Sequence, residues 1–144
     1  TALAPECRGR IAALLLFYPV TKAFPDGSSS WNAYGNGYGL DADIMEAFNA
    51  SYLVGGADVR DHRISPGLAP DSLLRQLPPT LLIAAGRDIL RDQGKAFARR
   101  LPRQVRRIEF PGAVHLFITV EGQPTAFRHA VRLATEFIET RKML

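Results

Sequence analysis

Residues 11–18 read Ile-Ala-Ala-Leu-Leu-Leu-Phe-Tyr without a polar interruption, and residues 80–85 read Thr-Leu-Leu-Ile-Ala-Ala. Apolar runs of strand length that do not alternate with polar residues fit strands covered on both faces. Pro19 closes the first run and Gly86 the second. The first run is therefore expected as a central strand and the second as its buried companion.

Helical patterns fill the intervals. From Asp41, a residue suited to a helix N-cap, Ile44, Met45, Phe48 and Tyr52 recur at helical spacing and predict a helix covering something apolar. Residues 71–77 suit a short helix halted by Pro78-Pro79, and Leu90, Phe97 and Leu101 mark another that Pro102 stops, with Gly94 in the same row. Residues 105–110 predict a third strand, whose Arg106, Arg107 and Glu109 suit a place at or near an edge. A last helix is expected from Pro124, with Phe127, Ala130, Val131, Ala134, Phe137 and Ile138 on one stripe. Residues 24–39 are rich in Gly, Ser, Asn and Asp around Trp31, Tyr34 and Tyr38, which predicts an irregular excursion of the kind that forms binding lids. Strand, helix, strand, helix, strand, helix in this order specifies a parallel sheet with right-handed crossovers.

Such sheets gather ligand sites at the carboxyl ends of their strands. Two residues with acid–base chemistry fall there: Asp88 just past the second strand, and His115 in the loop after the third. Neighbouring parallel strands lie about 4.8 Å apart, so side chains from adjacent loops can meet. A carboxylate beside an imidazole fixes one tautomer and leaves the other ring nitrogen to take a proton from a serine. Singly, Asp88 also fits a helix N-cap and His115 a structural loop histidine. His62 and His129 are expected to be solvated, one in a polar loop and one on the outer side of the last helix.

Composition narrows the alternatives. The single Cys7 excludes an internal disulfide and a cysteine metal cluster, and suits a reducing, cytoplasmic setting. No metal or organic cofactor is expected. No apolar run approaches the roughly 18 residues of a membrane span. The net charge of +4 rests largely on Arg99, Arg100, Arg103, Arg106 and Arg107. These suit a helix end running into an exposed strand, and a nucleic-acid reading finds no interleaved aromatics to support it.

The segments Leu77-Pro78-Pro79-Thr80-Leu81-Leu82-Ile83-Ala84-Ala85-Gly86-Arg87-Asp88-Ile89-Leu90-Arg91-Asp92-Gln93-Gly94 and Phe110-Pro111-Gly112-Ala113-Val114-His115-Leu116-Phe117 resemble the acid and histidine motifs of α/β-hydrolase esterases related to hormone-sensitive lipase. Leu15-Leu16-Phe17-Tyr18-Pro19, Ser51-Tyr52-Leu53 and Arg63-Ile64-Ser65-Pro66 extend the likeness over most of the chain. The resemblance implies the C-terminal portion of an α/β-hydrolase fold, residues 1–144 forming one α/β unit of about three parallel strands and residues 24–53 part of a cap. It makes Asp88 the triad acid, His115 the base and Asp92 a supporting residue at the helix start. It places Trp31, Tyr34, Tyr38, Leu116 and Phe117 around the substrate, a short or medium acyl ester. Where the family has Gly after the histidine and often Pro after the acid, this chain has Leu116 and Ile89.

The family's HGGG-type oxyanion loop and G-x-S-x-G nucleophile elbow precede the first strand seen here. No serine of this chain has that context: Ser28, Ser29 and Ser30 lie in the excursion, and Ser51, Ser65 and Ser72 lack the flanking glycines. The nucleophile is therefore expected upstream of Thr1, on an N-terminal half with which this chain either stays associated or, without it, self-associates through its first strand. Homodimerisation through the last strand and helix is a further implication of the family. Two other classes stay open: a non-catalytic α/β module that binds a ligand or partner, and a basic nucleic-acid binder.

Overall fold

A computed structural model describes Ala4, Cys7, residues 9–102 and residues 105–142. Arg103, one of the arginines of the basic cluster, lies outside the described residues. At the centre is β2 (Thr80–Arg87), buried from Thr80 through Gly86. It pairs in parallel with β1 (Leu14–Phe17) on one side and β3 (Val105–Val114) on the other, in the order β1-β2-β3. The family's parallel sheet is thus present in part.

Alternation along β2 sends side chains to two cores. Leu82 and Ala84 pack with Ala69, Leu74, Leu77 and Phe97 on one face, while Leu81, Ile83 and Ala85 pack with Ala113, Phe117 and Ala130 on the other. Each fully buried Leu or Ile side chain contributes about 1.5–3 kcal/mol, which explains why this strand carries no polar residue between Leu81 and Ala85. The first face is closed by α4 (Arg91–Arg100) and the second by α5 (Pro124–Lys142). Among described residues, no helix is long and apolar enough to cross a membrane.

Several expectations are corrected. The strand expected at residues 11–18 is shorter, Leu14–Phe17, and its residues are only half-buried; it lies at an edge of the described sheet, the edge on which the sequence leads one to expect an upstream segment. The third strand is longer than residues 105–110: it runs to Val114, through a shift in register opposite Ala85 and Arg87. Its edge position matches the expectation. The excursion at residues 24–39 contains a helix, α1 (Ser29–Tyr34), begun by Ser28, whose hydroxyl accepts from the Trp31 N–H at 3.3 Å.

A second helix, α2 (Ala42–Tyr52), begins where Asp41 suggested, but the Asp41 side chain accepts from Gly37 N–H rather than capping the helix. Of its apolar row, Met45 faces inward to Trp31, Leu40, Ile89 and Leu90, whereas Ile44, Phe48 and Tyr52 are exposed. The stripe on α5 divides likewise, with Ala130 and Ala134 buried and Phe127, Val131 and Ile138 exposed, and Leu133, outside the expected stripe, is buried beside them.

Between α2 and β2 run a 3₁₀ turn (Pro66–Leu68) and α3 (Asp71–Leu74). Arg100 clasps this stretch to the end of α4. Its guanidinium donates to the Gly67 carbonyl at 2.6 Å, to the Ala69 carbonyl and to Asp71 at 2.7 Å. Arg107 pairs with Glu109 at 2.6 Å. Two of the clustered arginines are therefore engaged within the chain.

Candidate active site

Asp88 leaves the end of β2 and is 1% exposed. Its Oδ1 accepts from the Leu90 N–H at 2.8 Å, which fixes the carboxylate at the entrance to α4. Its Oδ2 lies 2.8 Å from Nδ1 of His115. An ionised carboxylate only accepts, so Nδ1 carries the proton and Nε2 is the ring nitrogen left for chemistry. The sheet brings together the two residues that the sequence singles out. Asp88 is not the N-cap of α4, which is Leu90; its carboxylate holds the Leu90 N–H and partners the imidazole.

The histidine is delivered by the irregularity in β3. Pairing runs from Thr80↔Val105 to Ala85↔Phe110 and resumes at Arg87↔Val114, leaving Pro111, Gly112 and Ala113 as the bulged stretch. A Cβ on Gly86 would sit 2.5 Å from the Pro111 carbonyl oxygen, so only glycine lets the bulge cross the end of β2. Gln123 secures the strand end beyond it: Oε1 accepts from Val114 N–H at 3.0 Å and Nε2 donates to Gly112 O at 2.9 Å.

Two neighbours of His115, Tyr18 and Gly39, escape sequence reasoning, and a third, Leu116, is singled out there without its backbone form. The Tyr18 ring lies 4.6 Å from the imidazole, centroid to centroid, and touches Phe117 edge-on at 6.0 Å. Gly39, at φ +98°, runs its backbone past the histidine, where a Cβ would come 3.3 Å from the His115 carbonyl oxygen. Leu116 follows the histidine at φ +63°, in the region that favours glycine. Tyr18 carries a faint signal, as the last residue of an apolar run before proline. Gly39 carries none, because its role is set by a cap segment folding back across the sheet.

Burial raises the Tyr18 phenol pKa above its ordinary value, with a Thr119 side-chain hydrogen bond opposing and the Asp88 charge adding. The phenol is therefore neutral near pH 7. Asp92, the expected supporting residue, is pulled below the ordinary carboxylate range by its bond to Arg91; burial opposes and the Ser30 N–H assists. It accepts that N–H at 2.9 Å, while the Ser30 hydroxyl donates to Ile89 O at 2.9 Å and accepts from Asp92 N–H at 3.1 Å. This exchange moors α1 to the loop that bears Asp88.

Of the five expected substrate contacts, Tyr34 and Tyr38 stay partly exposed with their rings 5.0 Å apart, and Arg91 lies over Tyr34 at 5.2 Å. Leu116 is exposed. Trp31 is buried with Met45 and Ile89, and Phe117 is wholly enclosed in the core between β2 and α5, so both are packing anchors in this structure. A recess of about 430 Å³ lies instead between the β3 bulge and the start of α5, beside His129, on residues that include neither Asp88 nor His115. No group of three or more metal-ligating side chains occurs among the described residues.

The fold and this acid–imidazole pair define an α/β hydrolase, and the comparisons agree. The sequence pattern of the α/β-hydrolase fold matches residues 1–119. The chain belongs to that family, in the branch that includes hormone-sensitive lipase. It is 37% identical over 107 residues to an ethyl acetate hydrolase of Pseudomonas putida, covering 72% of this chain and 33% of that protein. It is 32% identical over 116 residues to human hormone-sensitive lipase, covering 71% of this chain and 11% of the lipase. Among solved structures, a fungal esterase from Rhizomucor miehei superposes with a TM-score of 0.82 at 29% identity, over 99% of this chain and 47% of the esterase. The chain thus spans about a third or less of these curated relatives and about half of the solved esterase.

Proposed function

We propose that the protein hydrolyses carboxylic esters with short or medium acyl chains, through a Ser-His-Asp triad of which this chain supplies Asp88 and His115. The observation that carries the reading is the 2.8 Å contact between His115 Nδ1 and Asp88 Oδ2, at strand ends where the family keeps its acid and base. Nε2 of His115 takes the proton from a serine hydroxyl as that oxygen attacks the ester carbonyl, then returns it to the leaving alcohol. Water repeats the sequence to release the acid. The serine and its oxyanion hole lie on a segment preceding Thr1, which pairs along the free edge of β1. Tyr34 and Tyr38 lie on the cap segment that also carries Gly39, which supports a place for them beside the acyl or alcohol group. Pairing of two copies through β3 and α5 would use the exposed Phe127, Val131 and Ile138.

The test is the longer reading frame. It should encode G-x-S-x-G upstream of Thr1, and its product should hydrolyse p-nitrophenyl acetate, while residues 1–144 alone stay at background. A longer frame without the elbow, or a full-length product inert toward short and medium esters, would overturn the reading.

A further inference from the structure

The described residues outside glycine contain two with positive φ, Tyr18 at +33° and Leu116 at +63°. Both abut the same imidazole. Leu116 follows His115 in the chain, and the Tyr18 ring lies 4.6 Å from the His115 ring at an interplanar angle of 57°. Left-handed backbone costs a residue with a Cβ about 1–2 kcal/mol, and it persists only where surrounding contacts enforce it. At Tyr18 the strain is compounded by Pro19, which restricts the residue before it. The enforcing contacts are visible: Tyr18 N–H donates to Ile83 O at 2.7 Å, one residue beyond the last β1–β2 pair, Phe17↔Ile83. The ring then turns across the strand ends to His115 rather than continuing the pleat.

We propose that Tyr18 is a positioning residue for the triad, its ring forming a wall that holds the His115 imidazole in the orientation bonded to Asp88. Asp88 holds the imidazole at one atom only, and a single hydrogen bond leaves rotation about the side-chain torsions open. The Tyr18 ring, tilted against the imidazole at 4.6 Å between centroids, blocks that rotation. The Gly39 backbone limits movement of the histidine main chain from another side. The hydroxyl is secondary, because the contact with the imidazole is made by the ring.

The kinetic arm of the test rests on the ester-hydrolysis reading, and the spectroscopic arm does not. In the full-length protein, Tyr18→Ala should lower kcat on p-nitrophenyl acetate by about 10- to 100-fold, the scale of a misplaced reacting group, with KM changed less than about twofold. Tyr18→Phe should restore kcat to within about threefold of the parent, because the wall is retained. By NMR of the histidine side chains, the His115 Nδ1 proton should exchange with water at least about tenfold faster in Tyr18→Ala than in the parent or Tyr18→Phe, since local opening frees it. If Tyr18→Ala fails to fold, Tyr18→Gly removes the wall while relieving the positive φ, and should show the same losses. Unchanged exchange in a folded Ala or Gly variant overturns the proposal, as does a Phe variant as impaired as Ala. Faster exchange in a protein inert toward esters would support the wall and sink the ester reading alone.

Discussion

Gly86 and Pro111 meet backbone to backbone: a Cβ on the glycine would fall 2.5 Å from the proline carbonyl oxygen and 2.6 Å from its Cα. Neither atom belongs to a flexible side chain, so the clash cannot be relieved by a rotamer change. Gly86→Ala should push the β3 bulge off the end of β2 and destabilise the protein by about 1–3 kcal/mol, the range for overpacking. Gly112→Ala, where a Cβ meets nothing within 4 Å, is the control and should stay within about 0.5 kcal/mol of the parent. Urea unfolding of both variants checks the pair. Equal stability would mean that the crossing is not the constraint that sets the bulge.

The contact between Asp88 and His115 makes a chemical prediction on the proposed triad. Asp88→Asn keeps the shape of the side chain, but its amide can donate to the ring and favour the wrong tautomer. In the serine-protease triad that change lowers kcat about 10⁴-fold, and a loss of similar order is expected here for the full-length protein. His115→Ala should cost at least as much, and the double variant little more than either alone, because the residues act as a unit. Steady-state kinetics on a p-nitrophenyl ester read all three. Additive losses would argue against a shared proton path.

Leu116 occupies a conformation that a Cβ makes costly, and the residue is 39% exposed, so its packing is only partial. Leu116→Gly should relieve about 1–2 kcal/mol of backbone strain. Against this stands the chain entropy that glycine returns to the unfolded state, about 0.4–1 kcal/mol. The net expectation is a small gain in stability, whereas Leu116→Ala retains the strain and should gain nothing. Thermal melts of the two variants separate the outcomes. A destabilised Gly variant would show that Leu116 makes contacts worth more than the strain it bears.

The parts of this site that were legible in sequence are those fixed by local chemistry. The run at residues 80–85 reports burial directly, and Asp88 and His115 stand where strands end. Less legible was whatever depends on remote chain. The residues of β1 are apolar enough for a central strand, and β1 lies at an edge of the described sheet, because an apolar run records what the faces of a strand can cover and not which strand pairs with it. The same limit hid the outward rows of α2 and α5. Spacing shows that Ile44, Phe48 and Tyr52 share a face without showing which way it points. Tyr18 and Gly39 were missed because each touches His115 across a large separation in sequence, where no periodicity operates. The Ser28 cap of α1 was visible in principle, but the surrounding glycines and asparagines masked one turn of helix.

Asp92 gives the pH prediction. Its carboxyl is held below the usual range chiefly by Arg91, so its folded pKa lies under its unfolded value of 3.8. A depressed acid contributes stability that is present above the unfolded pKa and lost as pH falls through the folded one. The protein should therefore lose stability as pH falls below about 4, with the Asp92 share disappearing as the carboxyl protonates and releases Arg91 and the Ser30 N–H. Asp92→Asn should start less stable at pH 7 and show a shallower decline below pH 4. Asp61, held at about 2 by Arg63 on the open surface, slopes the same way in both proteins and cancels in the comparison. Urea midpoints measured between pH 3 and pH 7 supply the test. Parallel curves for parent and variant would show that the Ser30–Asp92 exchange does not draw on the charge, and that α1 is moored by its hydrogen bonds alone.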